Sequence, residues 1–114
     1  MLKKIRYLDK KDLIRNELLK CARAGEMPFY KEFGERVGIP PQGPWKPILD
    51  LISDEQTKMG CSDITFLLRK KETGLPGQIG FVQAKNPTPD QRKKAKIELQ
   101  KVFNQYCPGT RIPF

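Results

Sequence analysis

The chain has 114 residues, of which 38% are hydrophobic and 31% are charged, and its formal net charge is +9. This length and composition predict one domain over residues 1–114 with a single modest core. The sequence contains no histidine, which excludes the serine and cysteine mechanisms that need a histidine base and also excludes histidine-ligated metal sites.

Apolar residues at helical spacing predict two helices in the first third of the chain. The first runs from Asp9, whose carboxylate can cap it, to about Arg23, and Gly25 stops it. The second begins near Pro28, because proline is favoured in a first helical turn, and Gly38 closes it. The chain is therefore predicted to start as a helix–loop–helix.

A third helix is predicted to open at Pro44. Its apolar residues repeat at i, i+3, i+4 and i+7, the pattern of a helix with one buried face; they are Trp45, Ile48, Leu49 and Ile52. A tryptophan at a helix start can also stack on a nucleobase, but its place on this apolar stripe favours the core.

After the third helix the apolar pattern changes from helical to alternating. Ile64, Phe66 and Leu68 occupy alternate positions, which predicts a strand. Residues 73–77 are a turn cluster of glycine and proline, and residues 78–83 are predicted to return as a second strand. This order is typical of a β-hairpin.

A last helix is predicted near the C-terminal end. Thr88 and Gln91 have the spacing of a capping box around Pro89, and the helix has one apolar face formed by Leu99, Val102, Phe103 and Tyr106. Three helices, a hairpin and a terminal helix are the order of an α+β winged helix, a form of helix-turn-helix domain. Its core is predicted over about residues 9–85, with a C-terminal helix arm over residues 88–107.

Part of this order resembles the winged-helix C-terminal domain of alkylguanine-DNA alkyltransferases and alkyltransferase-like proteins. In that family a tyrosine-containing helix that ends in glycine precedes a DNA-binding helix, a cysteine-led strand and a glycine turn. The corresponding positions here are Tyr30, Phe33, Val37, Gly38, the helix after Trp45, Cys61 and Gly74. The resemblance implies a winged helix. Because Ser62 and Asp63 follow Cys61 where the family has histidine and arginine, nothing activates the thiolate and alkyl transfer is not expected.

The basic residues are unevenly distributed. Residues 1–25 carry a net charge of +5 and residues 88–114 carry +4, whereas residues 26–60, which include the third helix, carry −2. Affinity for duplexes comes mainly from lysine and arginine that neutralise phosphates, so we do not expect the third helix to read a major groove. Charge runs are often only solvated helix faces. The residues predicted to contact nucleic acid, on the flanking helices and the wing, are Lys10, Lys11, Arg15, Arg69, Lys70, Lys71, Arg92, Lys93, Lys94 and Lys96.

A second resemblance is to PD-(D/E)xK nucleases of the branch that uses a Gln-x-Lys motif. Asp63 at a strand start, with Gln83 and Lys85 at the end of the next strand, is similar to that motif. It implies a Mg²⁺ site in which Asp63 and Gln83 present ligands, Lys85 polarises the attacking water and Glu17 is an outer carboxylate. Such nucleases need a larger sheet than the two strands predicted here.

These patterns favour binding over catalysis. We predict a small non-catalytic accessory or regulatory protein, from a bacterium or a mobile element, that contacts the nucleic-acid backbone largely without sequence choice and needs no cofactor. A protein–protein interaction module or homo-oligomer on the same scaffold, and a Mg²⁺-dependent nuclease, are the alternatives. No apolar run approaches the ~20 residues of a membrane span, and the widely spaced Cys21, Cys61 and Cys107 indicate a reducing compartment. We therefore predict a cytoplasmic protein that does not bind membranes.

Overall fold

The computed structural model describes residues 7–40, 43–71, 73–78 and 87–112. These residues form four α-helices, namely α1 (Lys11–Ala24), α2 (Tyr30–Val37), α3 (Trp45–Lys58) and α4 (Pro89–Tyr106). Two short 3-10 helices, Leu8–Lys10 and Ile64–Leu67, precede α1 and follow α3. The four predicted helices are confirmed, with small differences at their ends.

Local signals explain where the helices end. Gly25 and Gly38 adopt φ angles of 71° and 75° immediately after α1 and α2, a left-handed conformation that glycine adopts without steric cost. Thr88 and Gln91 form the predicted capping box, in which each side chain accepts the other residue's backbone N–H. Asp9 does not cap α1, because it lies inside the preceding 3-10 helix.

The core is one continuous cluster to which all four helices contribute. The predicted stripe of α3 is buried, with Ile48, Leu49 and Ile52 at 0% exposure and Trp45 at 7%. α1 contacts α2, α3, α4 and the second 3-10 helix, and is therefore the central element. From α4 the cluster includes Leu99, Val102 and Phe103, so this helix is packed into the core.

A close approach of α2 and α3 depends on Gly34. A Cβ atom at this position would collide with the carbonyl oxygen of Ile39 and lie 3.2 Å from Cζ2 of Trp45. The missing side chain lets the loop after α2 fold back and brings the Trp45 ring against α2. This contact places the N-terminal ends of α2 and α3 beside each other.

The first predicted strand is wrong, since Ile64–Leu67 is a 3-10 helix. Asp63 caps it, accepting hydrogen bonds from the backbone N–H of Thr65 at 3.0 Å and from its hydroxyl at 2.5 Å. The apolar residues that are completely buried here are Ile64, Leu67 and Leu68, whereas Phe66 is only partly buried. Thr65 is buried as well, with its hydroxyl bonded to Asp63. The spacing of three and four residues from Ile64 to Leu67 and Leu68 is typical of a helix. It is hard to recognise in the sequence because the apolar residues are adjacent and also fit an alternating pattern.

The predicted α+β winged-helix fold is also wrong, and the fold is all-α. In the described ranges, β pairing is limited to two isolated bridges, from Arg69 to Phe29 and from Arg69 to Pro76. The turn at residues 73–77 exists, but it follows the 3-10 helix and does not join two strands. Of the second predicted strand, Gln78 is in a turn and residues 79–83 lie outside the described residues. Because the described residues form no hairpin wing, the resemblance to alkyltransferase domains is not supported.

No helix in the described part of the chain is both long enough and apolar enough to cross a membrane. Cys21, Cys61 and Cys107 are all free thiols, and Cys21 is buried in the core.

Candidate nucleic-acid interface

The predicted basic residues of α1 and the turn before it contact the rest of the fold. The ammonium group of Lys10 donates hydrogen bonds to the carbonyl oxygens of Val37 at 2.8 Å and of Gly38 at 3.3 Å. These carbonyls are at the C-terminal end of α2, where the helix leaves acceptors unpaired and where a cation is favourable. Lys10 therefore stabilises the end of another helix.

Lys11 and Arg15 both point to α3. Lys11 forms an ion pair with Glu55, with 2.6 Å between Nζ and Oε2. This hydrogen bond raises the pKa of Lys11 above its usual 10.5, outweighing the opposite effect of partial burial. The guanidinium of Arg15 donates to Oε1 of Gln56 at 3.2 Å and to the sulfur of Met59 at 3.1 Å. Both cations therefore join α1 to α3.

Gln56 is the centre of this polar junction and is fully buried. Its amide oxygen accepts from Arg15, and its amide nitrogen donates to the carbonyl of Ser62 at 2.9 Å and to the hydroxyl of Tyr106 at 3.0 Å. One side chain thereby connects α1, α3, α4 and the segment after α3. A buried amide with partners on both of its polar atoms specifies how the helices pack.

The basic residues of α4 are arranged differently. Arg92, Lys93 and Lys96 are exposed on the N-terminal half of the helix, at spacings of three and four that put Lys96 beside the other two. Among the described residues, none of these three side chains has an ion pair or a hydrogen bond. Lys94 is likewise exposed, and Lys101 farther along is paired with Glu98 at 3.2 Å. The structure thus brings together, on one surface, three cations that have no partner among the described residues. We call this surface the α4 basic face (Arg92, Lys93 and Lys96).

Arg69 is a structural residue. Its guanidinium lies 4.4 Å from the centre of the Phe29 ring and donates to the carbonyl of Met27 at 2.9 Å. Burial lowers the pKa of Arg69 from its usual value. Its backbone pairs with Pro28 and Tyr30, which holds the segment after the 3-10 helix against the start of α2.

A cleft opens beside that contact, with a volume of about 760 Å³. Its wall combines the starts of α2 and α3 with residues from the segment 70–78. Gln78 fixes this segment to α3 by donating to Oδ1 of Asp50 at 3.1 Å. We call it the aromatic cleft, and its lining residues are Phe29, Tyr30, Lys31, Glu32, Glu35, Trp45, Lys46, Lys70, Lys71, Gly77 and Gln78.

Aromatic rings and lysines share the cleft. The rings of Tyr30 and Trp45 meet edge to face, with 5.5 Å between centroids and an angle of 74°. Lys70 and Lys71, two of the predicted basic residues, lie here together with Lys31 and Lys46. Sequence reasoning missed Lys31 and Lys46, although each directly follows an aromatic residue at a helix start, and that repeated pairing was the available signal.

The nuclease prediction can be followed only at Asp63 and Glu17. Asp63 accepts hydrogen bonds from Thr65 and from the hydroxyl of Ser53, so both of its oxygens are used to hold the 3-10 helix. Glu17 pairs with Lys20 at 3.1 Å. Gln83 and Lys85 lie outside the described residues. Within the described ranges, no group of three or more cysteine, aspartate or glutamate residues is arranged to hold a metal ion.

Comparisons with protein-family models, with curated proteins and with solved structures found no match to this chain.

Proposed function

We propose that this protein is a non-catalytic nucleic-acid-binding protein that contacts the phosphate backbone through the α4 basic face. The observation that supports the proposal most strongly is that Arg92, Lys93 and Lys96 are adjacent, exposed and unpaired within the described residues. Three cations held on one rigid helix can neutralise phosphates without first breaking internal contacts. Lys10, Lys11 and Arg15 are weaker candidates, because a phosphate would compete with their internal acceptors.

The expected mode of binding is electrostatic and largely independent of base sequence. Each phosphate that a lysine or arginine neutralises releases counterions, so binding weakens with salt at a logarithmic slope of about −0.9 per contact on a duplex. The three contacts of the α4 basic face therefore predict a slope of roughly −3. In this mode of binding, no helix inserts side chains into a groove to read the bases. The net charge of +9 attracts the nucleic acid before contact is made.

The test measures fluorescence anisotropy of a labelled 20-base-pair duplex at low salt, using the wild-type protein and a Lys93→Glu/Lys96→Glu double variant. We expect the variant to bind about tenfold more weakly or worse, with a smaller salt slope. Both replaced side chains are exposed on α4, and glutamate has nearly the same helix propensity as lysine, so the variant should fold.

The matched control is Lys31→Glu/Lys46→Glu, which changes the net charge equally but lies in the aromatic cleft. It should retain most of the duplex affinity, because bases stacked in a duplex cannot enter the cleft. Equal weakening by both double variants would show that only overall charge matters. Absence of duplex binding by the wild type at low salt would contradict the proposal outright.

A further inference from the structure

The size of the aromatic cleft is suited to a small ligand. Its volume of about 760 Å³ lies within the range of about 300–1,000 Å³ found for small-molecule sites. Such sites combine an apolar wall with a few polar groups that fix the orientation of the ligand. Here the wall is aromatic and the charged groups are mostly lysines, so a ligand with both a flat ring and negative charge matches the lining.

Two polar atoms on aromatic residues of the cleft have no partner in the described structure. Burial raises the pKa of Tyr30 to about 12, so its hydroxyl is protonated at neutral pH, yet it makes no hydrogen bond to a described residue. Trp45 is only 7% exposed, and its Nε1–H is buried with no acceptor. A buried donor without a partner is uncommon in folded proteins and calls for an explanation. A ligand in the cleft that carries an acceptor can meet the Tyr30 hydroxyl, whereas the Trp45 Nε1–H is shielded from solvent and is not within a ligand's reach.

The charges of the cleft favour an anion. Lys31, Lys46, Lys70 and Lys71 outnumber the two glutamates in the lining. Lys46 also pairs with Asp50 at 3.4 Å, but both side chains are largely exposed, so this pair is weak and an anion can replace it. Tyr30 and Trp45 are the first residues of α2 and α3, so the positive ends of two helix dipoles also meet at this place. α3 has no side-chain cap and no acidic residue in its first turn. Nothing within that first turn therefore neutralises the positive end of α3.

We infer that the aromatic cleft binds a nucleotide unit, with its base against Tyr30 and Trp45 and its phosphate toward the lysines and the two helix starts. Stacking on aromatic side chains and contact with cations are the two features by which proteins hold unpaired nucleotides. A simple anion would leave the aromatic wall unused, and an uncharged ring would leave the lysines unused. The inference does not depend on the α4 basic face, because the two surfaces share no residue.

The single tryptophan of the chain provides the measurement, since Trp45 is in the cleft wall. We would titrate the full chain with AMP, adenosine, inorganic phosphate and a single-stranded hexamer of deoxyadenosine, and follow intrinsic tryptophan fluorescence. AMP should cause a saturable change, whereas adenosine and phosphate should bind at least about tenfold more weakly. A hexamer that binds much more tightly than AMP identifies a single strand as the natural ligand; equal affinity identifies a free nucleotide.

Two variants test whether the binding is in the cleft. Lys31→Glu/Lys46→Glu should weaken AMP binding about tenfold or more, and it should fold because acidic residues are favourable in a first helical turn. Tyr30→Phe removes only the hydroxyl and should weaken AMP binding by a smaller factor. The Lys93→Glu/Lys96→Glu variant, with the same change in net charge, should bind AMP as the wild type does.

Three results would overturn the inference. The first is no saturable change with either AMP or the hexamer. The second is phosphate binding as tightly as AMP, which would reduce the cleft to an anion site. The third is loss of binding in the α4 variant with retention in the cleft variants, which would move single-strand binding to α4. Failure of duplex binding alone would refute the proposed function and leave this inference intact.

Discussion

The cations around the start of α1 and those on the N-terminal half of α4 have different environments although the sequence presents them alike. Lys10, Lys11 and Arg15 each reach an acceptor on α2 or α3. Arg92 and Lys93 extend from α4 without a partner in the described structure. The first group stabilises the fold and the second is available to an external anion. A count of basic residues on predicted helices cannot distinguish these two roles.

The difference arises from contacts that are distant in sequence. Lys10 and Val37 are separated by 27 positions, and Lys11 and Glu55 by 44. α1 is in the middle of the helix assembly and is contacted by the other three helices. The polar side chains at its start therefore reach polar groups on α2 and α3. On the N-terminal half of α4, Arg92, Lys93 and Lys96 form no such contact with the described residues.

The largest predicted effect is on the junction that fixes the environment of Arg15. Replacing Gln56 by alanine removes both hydrogen bonds from Arg15, one to Ser62 and one to Tyr106, and leaves buried polar groups unpaired. We expect the free energy of unfolding to fall by about 2–4 kcal/mol, measured by urea denaturation. Gln100→Ala, on the exposed side of α4, is the matched control and should change stability by less than about 0.5 kcal/mol. Similar values for the two variants would mean that the junction contributes little.

The helices could be predicted because their signals are local. Gly25, Gly38 and the Thr88 capping box act within a few residues of the ends that they determine. The 3-10 helix Ile64–Leu67 could not be predicted in the same way. Its apolar run fits both a strand and a helix, and the contact between Asp63 and Ser53, ten positions earlier on α3, favours the turn.

The aromatic cleft depends on tertiary contacts that no local pattern reveals. It requires Gly34 to admit Trp45 against α2 and Arg69 to hold the later segment beside Phe29. Trp45 was correctly predicted as a buried residue of the α3 stripe. The aromatic–lysine pairs at residues 30–31 and 45–46 are a local signal, but they do not reveal that the starts of α2 and α3 lie side by side.

A smaller effect is expected where Lys10 caps α2. Lys10→Met keeps the aliphatic stem but removes the donor to the carbonyls of Val37 and Gly38, so we expect a loss of about 1 kcal/mol in a thermal or urea unfolding experiment. Lys93→Met, on the α4 basic face, should leave stability within about 0.5 kcal/mol of the wild type. The two variants should also differ in duplex binding, with the larger loss for Lys93→Met. If Lys93→Met lost more stability and Lys10→Met lost more duplex affinity, the assignment of a structural role to Lys10 and a binding role to Lys93 would be wrong.

The smallest effect concerns the pH dependence of the Lys11–Glu55 pair, in which the side chains are 24% and 35% exposed. Because Glu55 raises the pKa of Lys11, the folded state holds that proton more tightly than the unfolded state. Its contribution, at most about 1 kcal/mol for a pair this exposed, is fully present below the unfolded pKa of 10.5 and is lost as the pH rises through the higher folded value. We would measure the free energy of unfolding of the wild type and of Lys11→Met by urea denaturation. The difference between them should be constant from pH 7 to 9 and should shrink above pH 10.5. Lys93→Met should have the stability of the wild type at every pH. A difference that persists above pH 11 would instead assign the role of Lys11 to packing of its aliphatic stem.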